Sequence, residues 1–284
     1  MQLPDLRVLA LDALVPHERT DPRRVNPLIE RLRHEDVLRN PPIVAPFDGR
    51  RFVVLDGANR TTAFRALGMP HILAQVVPYE KVHLHVWHHA ITQCSMIDVL
   101  DQVCGIAGLR MSECDLMSAR AALARREALA FISLDAGQPP LDAATIEHLP
   151  MAILLAGGDT LVQRTELLNQ LVDVYEGCSK VQRTAGDSLA EARIAFPDAS
   201  AVVVFPNYEP AEIIDLARTG VRLPAGITRH VLPLRALRVN YPLDVLRGDM
   251  PLAQKQAHLS EWVHERVRAR KVRAYAEPTV MFDE

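Results

Sequence analysis

The sequence predicts a mixed α/β (α+β) protein, and three observations support this. Between residues 41 and 77 three β-rich apolar runs, PPIVAP, FVVL and HILAQVV, surround a single helix-forming segment. Asp48-Gly49 between the first two runs is a hairpin signal, because both residues tolerate the φ values of a tight turn. Further along, buried-strand runs at 128–134 (ALAFISL) and 201–206 (AVVVFP) alternate with segments of helical periodicity.

Taken in order, residues 6–14 (LRVLALDAL) begin as a strand and run into a polar, Pro-punctuated loop that carries Glu18. A helix is expected over 27–33, with Asn26 as N-cap and Pro27 at the first helical position. After the hairpin, Phe52–Leu55 feeds through Asp56-Gly57 into a helix whose apolar face is Ala63, Phe64 and Leu67, with Gly68 as its stop. Strands follow at 71–77 and, as one continuous run, at 82–91 (VHLHVWHHAI). Helices are expected at 95–104 and at 112–127, where Ser112 and Asp115 approximate a capping box. Gln138 to Leu141 reads as a Pro-rich connector between the 128–134 strand and two helices, 143–155 and 159–176. Gly157-Gly158 between those helices reads as a helix break, since no strand precedes it. A helix over 210–219 and an amphipathic helix over 251–270 complete the pattern, the latter turning Leu252, Leu259, Trp262 and Val263 to a core. Residues 1–80 are expected to form a small α/β domain, and residues 81–284 a larger mixed α/β part packed onto it.

Composition narrows the function. An apolar fraction of 49% and a charged fraction of 24% are those of a globular protein, and no apolar run approaches a membrane span. The N-terminus lacks the basic and apolar regions of a signal peptide, so a cytoplasmic location is expected. A net charge of −3 argues against a general nucleic-acid binder. The four cysteines lie far apart without a C-x-x-C pair, as reduced thiols do. His83, His85, His88 and His89 invite a metal hypothesis, but alternation with Val82, Leu84 and Val86 fits one polar face of a strand better.

Two stretches carry chemistry. A strand turning through Asp56-Gly57 into a helix leaves backbone N–H groups at a positive helix end, a cradle for phosphate. Arg60, Thr61 and Thr62 in the first turn add charge and hydroxyls. The same pattern also arises where an aspartate merely caps a helix. Late in the chain, Thr228, Arg229 and His230 offer a hydroxyl, a guanidinium fork and an imidazole that suit a phosphate or carboxylate, or else form a capped surface turn.

The string DGANR (56–60) resembles the DG-x-x-R box of the ParB/sulfiredoxin-like superfamily, in which a strand–box–helix unit binds nucleotide phosphates. Ala58 stands where sulfiredoxins carry their catalytic cysteine, which excludes that activity. ParB-type clamps follow the box with a helix-turn-helix and a basic DNA face, neither of which is evident after residue 90. A loop glutamate (Glu18 in VPHE), the box, Trp87 about thirty residues on and a late Thr228-Arg229-His230 cluster resemble the order in free L-serine kinases, including those of siderophore gene clusters.

That resemblance implies an enzyme moving a phosphoryl group from ATP or ADP, with Mg²⁺, onto L-serine to give O-phospho-L-serine. It implies Glu18 as the base and Asp56 as a Mg²⁺ or substrate ligand in catalysis. It assigns Gly57, Ala58, Asn59, Arg60 and Thr61 to the nucleotide, and Trp87, Thr228, Arg229 and His230 to serine. Ala58 and Asn59 depart from the box histidines of many such kinases. A ParB-like, nucleotide-responsive DNA-binding regulator without kinase activity is the alternative. As a loop carboxylate, Glu18 is also expected not to support the core, so that Glu18→Ala abolishes phosphoryl transfer and leaves folding intact.

Overall fold

The computed structural model describes residues 3–134 and 152–275. They group into two compact units, one of residues 3–14, 22–78 and 233–275, the other of residues 15–21, 79–134 and 152–232. The C-terminal segment from 233 groups with the first unit, and residues 15–21 with the second.

In the first unit, β1 (Asp5–Ala10) pairs antiparallel with β6 (His71–Val76). The hairpin of β4 (Ile43–Asp48) and β5 (Arg51–Asp56) joins β6 through a parallel β4–β6 contact. The order of these four strands is β1-β6-β4-β5, and β2 is the short strand Leu14–Pro16 at which the chain passes from one unit to the other. Helices α1 (Pro22–His34) and α2 (Ala58–Ala66) pack together. Val44, Val54, Ala63, Phe64, Ile72 and Leu73 form the shared core, each at most 1% exposed. Truncating a fully buried ring such as Phe64 to alanine costs about 3–5 kcal/mol, so this core fixes the direction in which α2 leaves β5. The remainder of this unit is β3 (Val37–Leu38) paired with β15 (Tyr241–Pro242), then α8 (Leu243–Arg247) and α9 (Leu252–Arg268). α9 buries Leu259, with Trp262 and Val263 half-buried beside it, and its Lys255 donates to the Leu246 carbonyl at the end of α8.

The second unit is built on an antiparallel sheet. Its strands are β8 (His88–Thr92), β9 (Arg110–Cys114), β10 (Ala130–Ser133), β11 (Ala152–Ala156), β12 (Lys180–Thr184) and β13 (Ala199–Val204), in the order β12-β8-β13-β10-β11-β9. Helices cover both faces, as strand alternation requires. Ala90 of β8 packs in a cluster with residues of α4 (Leu116–Ala124) and α6 (Leu189–Ala195), while its neighbour His89 meets Tyr175 of α5 (Leu161–Glu176). α3 (Met96–Cys104) and α7 (Pro210–Thr219) pack against α5. A separate two-stranded ribbon pairs β7 (His83–Val86) with β14 (Thr228–Val231).

Several expectations change. α1 starts at Pro22, leaving Pro27 inside the helix, where it forgoes one backbone hydrogen bond. The run 82–91 breaks at Trp87 into β7 and β8, which belong to different sheets. Ser112 lies in β9, and Asp115 caps α4 by accepting the Ser118 N–H at 2.9 Å. Of the helix expected over 143–155, residues 152–155 form strand β11, an apolar run without a polar face; the earlier part and the connector from Gln138 to Leu141 lie outside the described residues. A strand, not a helix, precedes Gly157-Gly158, so the expected helix break is a strand–turn–helix instead. A Cβ at Gly157 would overlap the Gly108 carbonyl, and the Thr160–Gln163 capping box takes up the free end of α5. Leu252 is 37% exposed rather than buried, because it sits in the first turn of α9. Cys94 and Cys178, distant in sequence, bring their Sγ atoms within 3.2 Å as free thiols. No helix among the described residues is long and apolar enough to cross a membrane.

Candidate active site

Within the second unit, Glu18 is fixed before its side chain is considered. Residues 17–19 run beside Leu223 in a parallel bridge, with Arg19 N–H donating to the Leu223 carbonyl and Leu223 N–H to the His17 carbonyl, both at 2.8 Å. The Glu18 side chain, 12% exposed, then accepts three hydrogen bonds. Oε2 accepts from Gly226 N–H at 2.8 Å, and Oε1 accepts from Thr228 N–H at 2.7 Å and from the Thr228 hydroxyl at 2.5 Å. A carboxylate has about four acceptor positions, so the open one lies on Oε2. Glu18 is thus more than a solvated loop residue: its carboxylate holds the 226–228 backbone. Gly226 suits this place because its φ is +74° and the Arg183 guanidinium occupies the space a Cβ would need.

A chain of polar rings continues from Thr228. The His17 Nε2 lies 2.9 Å from the Thr228 Oγ1, and the His17 ring meets the edge of His230 at 5.3 Å. The His230 Nε2 lies 2.9 Å from the Tyr79 hydroxyl. Burial, followed by the negative charge of Glu18, pushes the Tyr79 hydroxyl pKa well above its usual value, so it stays protonated.

The ribbon divides the trio 228–230. Side chains alternate along a strand, so Thr228 and His230 share the Glu18 face, while exposed Arg229 points the other way and stacks its guanidinium 4.5 Å over the half-buried Trp87 ring. The structure thus brings Glu18, Thr228 and His230 together, while Arg229 turns to the other face of the ribbon and pairs with Trp87. The histidine run divides likewise. His83 and His85 are exposed on β7, whereas His88 accepts the Phe205 N–H and His89 bonds the Tyr175 hydroxyl inside β8's core. No group of three His, Cys, Asp or Glu positioned for a metal occurs among the described residues.

In the first unit, β5 ends at Asp56 and the chain turns through Gly57, whose φ of +93° is easy only for glycine. A Cβ there would stand 2.8 Å from the Pro42 side chain and 3.1 Å from Arg60 Nη1, so the guanidinium lies folded against the turn. Ala58, Asn59 and Arg60 occupy the first turn of α2, where backbone N–H groups have no partner within the helix. Asp56 forms an ion pair with Arg235. Arg60 Nη1 is buried without a hydrogen-bond partner. Burial lowers the pKa of Arg60 from its ordinary value; Asp56 opposes that shift, and the Arg235 and Arg31 guanidinium groups reinforce it. Positive charge is in surplus at this helix start, as suits a polyanion. Thr61 is fully buried, and its hydroxyl donates to the Ala58 carbonyl at 2.9 Å, bracing the helix start.

Sequence reasoning passed over His17, Tyr79, Arg183, Gly226, Arg31 and Arg235. Of these only His17, adjacent to Glu18, and Gly226, a glycine two residues before Thr228, carried any local signal.

No family model matches the chain. It is similar to the ATP-dependent L-serine kinase SbnI of Staphylococcus aureus, 24% identical over 252 residues that cover 88% of this chain and 87% of that protein. It is also similar to an ATP-dependent L-serine kinase of Staphylothermus marinus, 27% identical over 255 residues, 84% of this chain and 90% of the other. Among solved structures, a free serine kinase in complex with AMP superposes with a TM-score of 0.70 at 19% identity, covering 87% of this chain and 95% of that one. A C-terminally truncated SbnI from Staphylococcus aureus gives 0.72 at 18% identity, covering 92% and 97%. The chain shares its fold with these kinases.

Proposed function

We propose that this protein is a free L-serine kinase that transfers the γ-phosphoryl group of ATP to L-serine, giving O-phospho-L-serine and ADP. The serine Oγ–phosphorus bond forms, the bond from that phosphorus to the β,γ-bridging oxygen breaks, and the hydroxyl proton passes to Glu18. The observation that carries the reading is the Glu18 carboxylate, held by three donors with one acceptor position open on Oε2. Such an arrangement orients a base without saturating it. Similarity to ATP-dependent L-serine kinases along most of the chain supports the substrate pair.

In this reading the first unit is a ParB/sulfiredoxin-like nucleotide-binding unit, and Gly57, Ala58, Asn59 and Arg60 receive the nucleotide phosphates at the start of α2. The unpartnered, buried Arg60 Nη1 supports that role. Mg²⁺ in kinases commonly takes one or two carboxylates plus phosphate oxygens, and Asp56 is the carboxylate on this turn. Thr228 and His230 contact serine on the Glu18 face. Arg229 stiffens Trp87 as the wall behind them, and Thr61 braces α2.

The test is release of ADP from Mg²⁺-ATP, followed by a coupled assay. The reading expects release that requires L-serine and disappears with L-alanine, which has no hydroxyl. Release independent of serine, or none, overturns it; retention of DNA that fades with salt would then favour the nucleotide-responsive regulator.

A further inference from the structure

We infer that His17 is a positioning residue: its Nε2–H holds the Thr228 hydroxyl so that the hydroxyl's single proton points at Glu18 Oε1, leaving Oε2 as the oxygen that takes the serine proton. The inference rests on the kinase reading, and the geometry is specific. Thr228 Oγ1 has one hydrogen and two acceptor positions. At 2.5 Å from Glu18 Oε1, beside a Thr228 N–H bonding the same oxygen, that hydrogen belongs to the Glu18 contact. Towards His17, 2.9 Å away, the hydroxyl oxygen can then only accept, so the donor is His17 Nε2–H.

Were Nε2 unprotonated, its lone pair would compete for the same hydrogen and turn the hydroxyl away from Glu18. His17 is 2% exposed and has the His230 ring against it, itself bonded to Tyr79, so its ring has little freedom to turn. The consequence is directional. Oε1 carries two donors and Oε2 only Gly226 N–H, so a proton arriving from serine has one vacant acceptor position. The His17–Glu18 separation of 3.9 Å between Nε2 and Oε1 is too long for a hydrogen bond, so the effect runs through Thr228.

Two measurements test this. The first is ¹⁵N NMR of histidine-labelled wild-type protein: a protonated His17 Nε2 is expected, and an unprotonated one overturns the inference whether or not the protein is a kinase. The second is a kinetic cycle of His17→Phe, Thr228→Val and the pair. His17→Phe, which keeps the ring but cannot donate, is expected to lower kcat about 10- to 100-fold while the KM for ATP stays within about twofold. His17→Gln, whose amide can donate, is expected to recover part of that loss. Because His17 acts through the Thr228 hydroxyl, adding His17→Phe to Thr228→Val should cost less than about threefold more. Losses that multiply, or a His17→Phe enzyme with wild-type kcat, overturn the inference. Wild-type protein that forms no phosphoserine overturns the kinase reading instead, and the NMR result then decides the role of His17.

Discussion

Replacing Glu18 separates its two roles, because glutamine and alanine remove different things. Glu18→Gln leaves an oxygen that can take the place of Oε1 and keep both Thr228 hydrogen bonds. Its amide nitrogen then faces the Gly226 N–H, donor against donor, so one of three bonds is lost. Glu18→Ala strands all three donors. A hydrogen bond to a charged group contributes about 1.5–3 kcal/mol, and partial access of water reduces the cost of leaving its donor unpaired. Glu18→Gln should therefore cost about 1–2 kcal/mol and Glu18→Ala about 3–5 kcal/mol. At roughly 2–4 °C per kcal/mol for a unit of this size, the expected falls in Tm are about 2–8 °C and about 6–20 °C. Both variants lose the proposed base, and a general base is worth about 10²- to 10⁴-fold in kcat. The assays are thermal unfolding followed by circular dichroism and serine-dependent ADP release at saturating substrates. Equal melting of wild type and Glu18→Ala refutes the bracing role. A Glu18→Gln enzyme with more than about a tenth of the wild-type kcat refutes the role of base.

Other predictions follow from the same geometry. Arg60→Ala should weaken nucleotide binding by about 10- to 100-fold in calorimetry, since the proposed cradle loses its buried, unpartnered donor; unchanged affinity would remove Arg60 from the cradle. Gly57→Ala should cost about 1–2 kcal/mol in backbone strain alone and also displace Arg60, so Tm and nucleotide affinity should fall together. Burial holds the pKa of His88 down to about 4 and that of His89 to about 3, against an ordinary 6.5. With folded values below the unfolded one, the stability they confer is full above pH 6.5 and declines as pH falls towards 4 and 3. At pH 5 each histidine should have lost about 2 kcal/mol relative to pH 8, so Tm should drop over that range and His89→Gln should flatten the slope. A Tm that does not change between pH 8 and pH 5 would contradict the buried neutral assignment.

What was legible in the sequence was local. The 41–56 hairpin, the strand–turn–helix at 52–66 and the helix at 210–219 stand where periodicity and turn residues put them, because each is specified by neighbours in the chain. The apolar run 152–156 was misread because a short buried strand and a buried helical segment have no distinguishing period. The break at Trp87 was hidden for another reason: β-propensity persists through VHLHVWHHAI, and only pairing partners far away, β14 on one side and β12 and β13 on the other, divide it. Of the residues proposed for the site, Glu18, Arg60, Thr228 and His230 are the ones their motifs single out. Arg235 beside Asp56 and Tyr79 beside His230 are not among them, since sequence separations of 179 and 151 residues leave no local trace. Arg229 was grouped with its neighbours by adjacency, and strand alternation separates it.

Phosphorus NMR of the purified protein with Mg²⁺, L-serine and ATP, beside a matched sample containing ADP, decides whether this protein is a serine kinase. An O-phosphoserine resonance that grows with the ATP sample as the γ-phosphate signal declines is the predicted result. Nucleotide that binds while no phosphoserine resonance develops in either sample would contradict the assignment of this protein as a serine kinase.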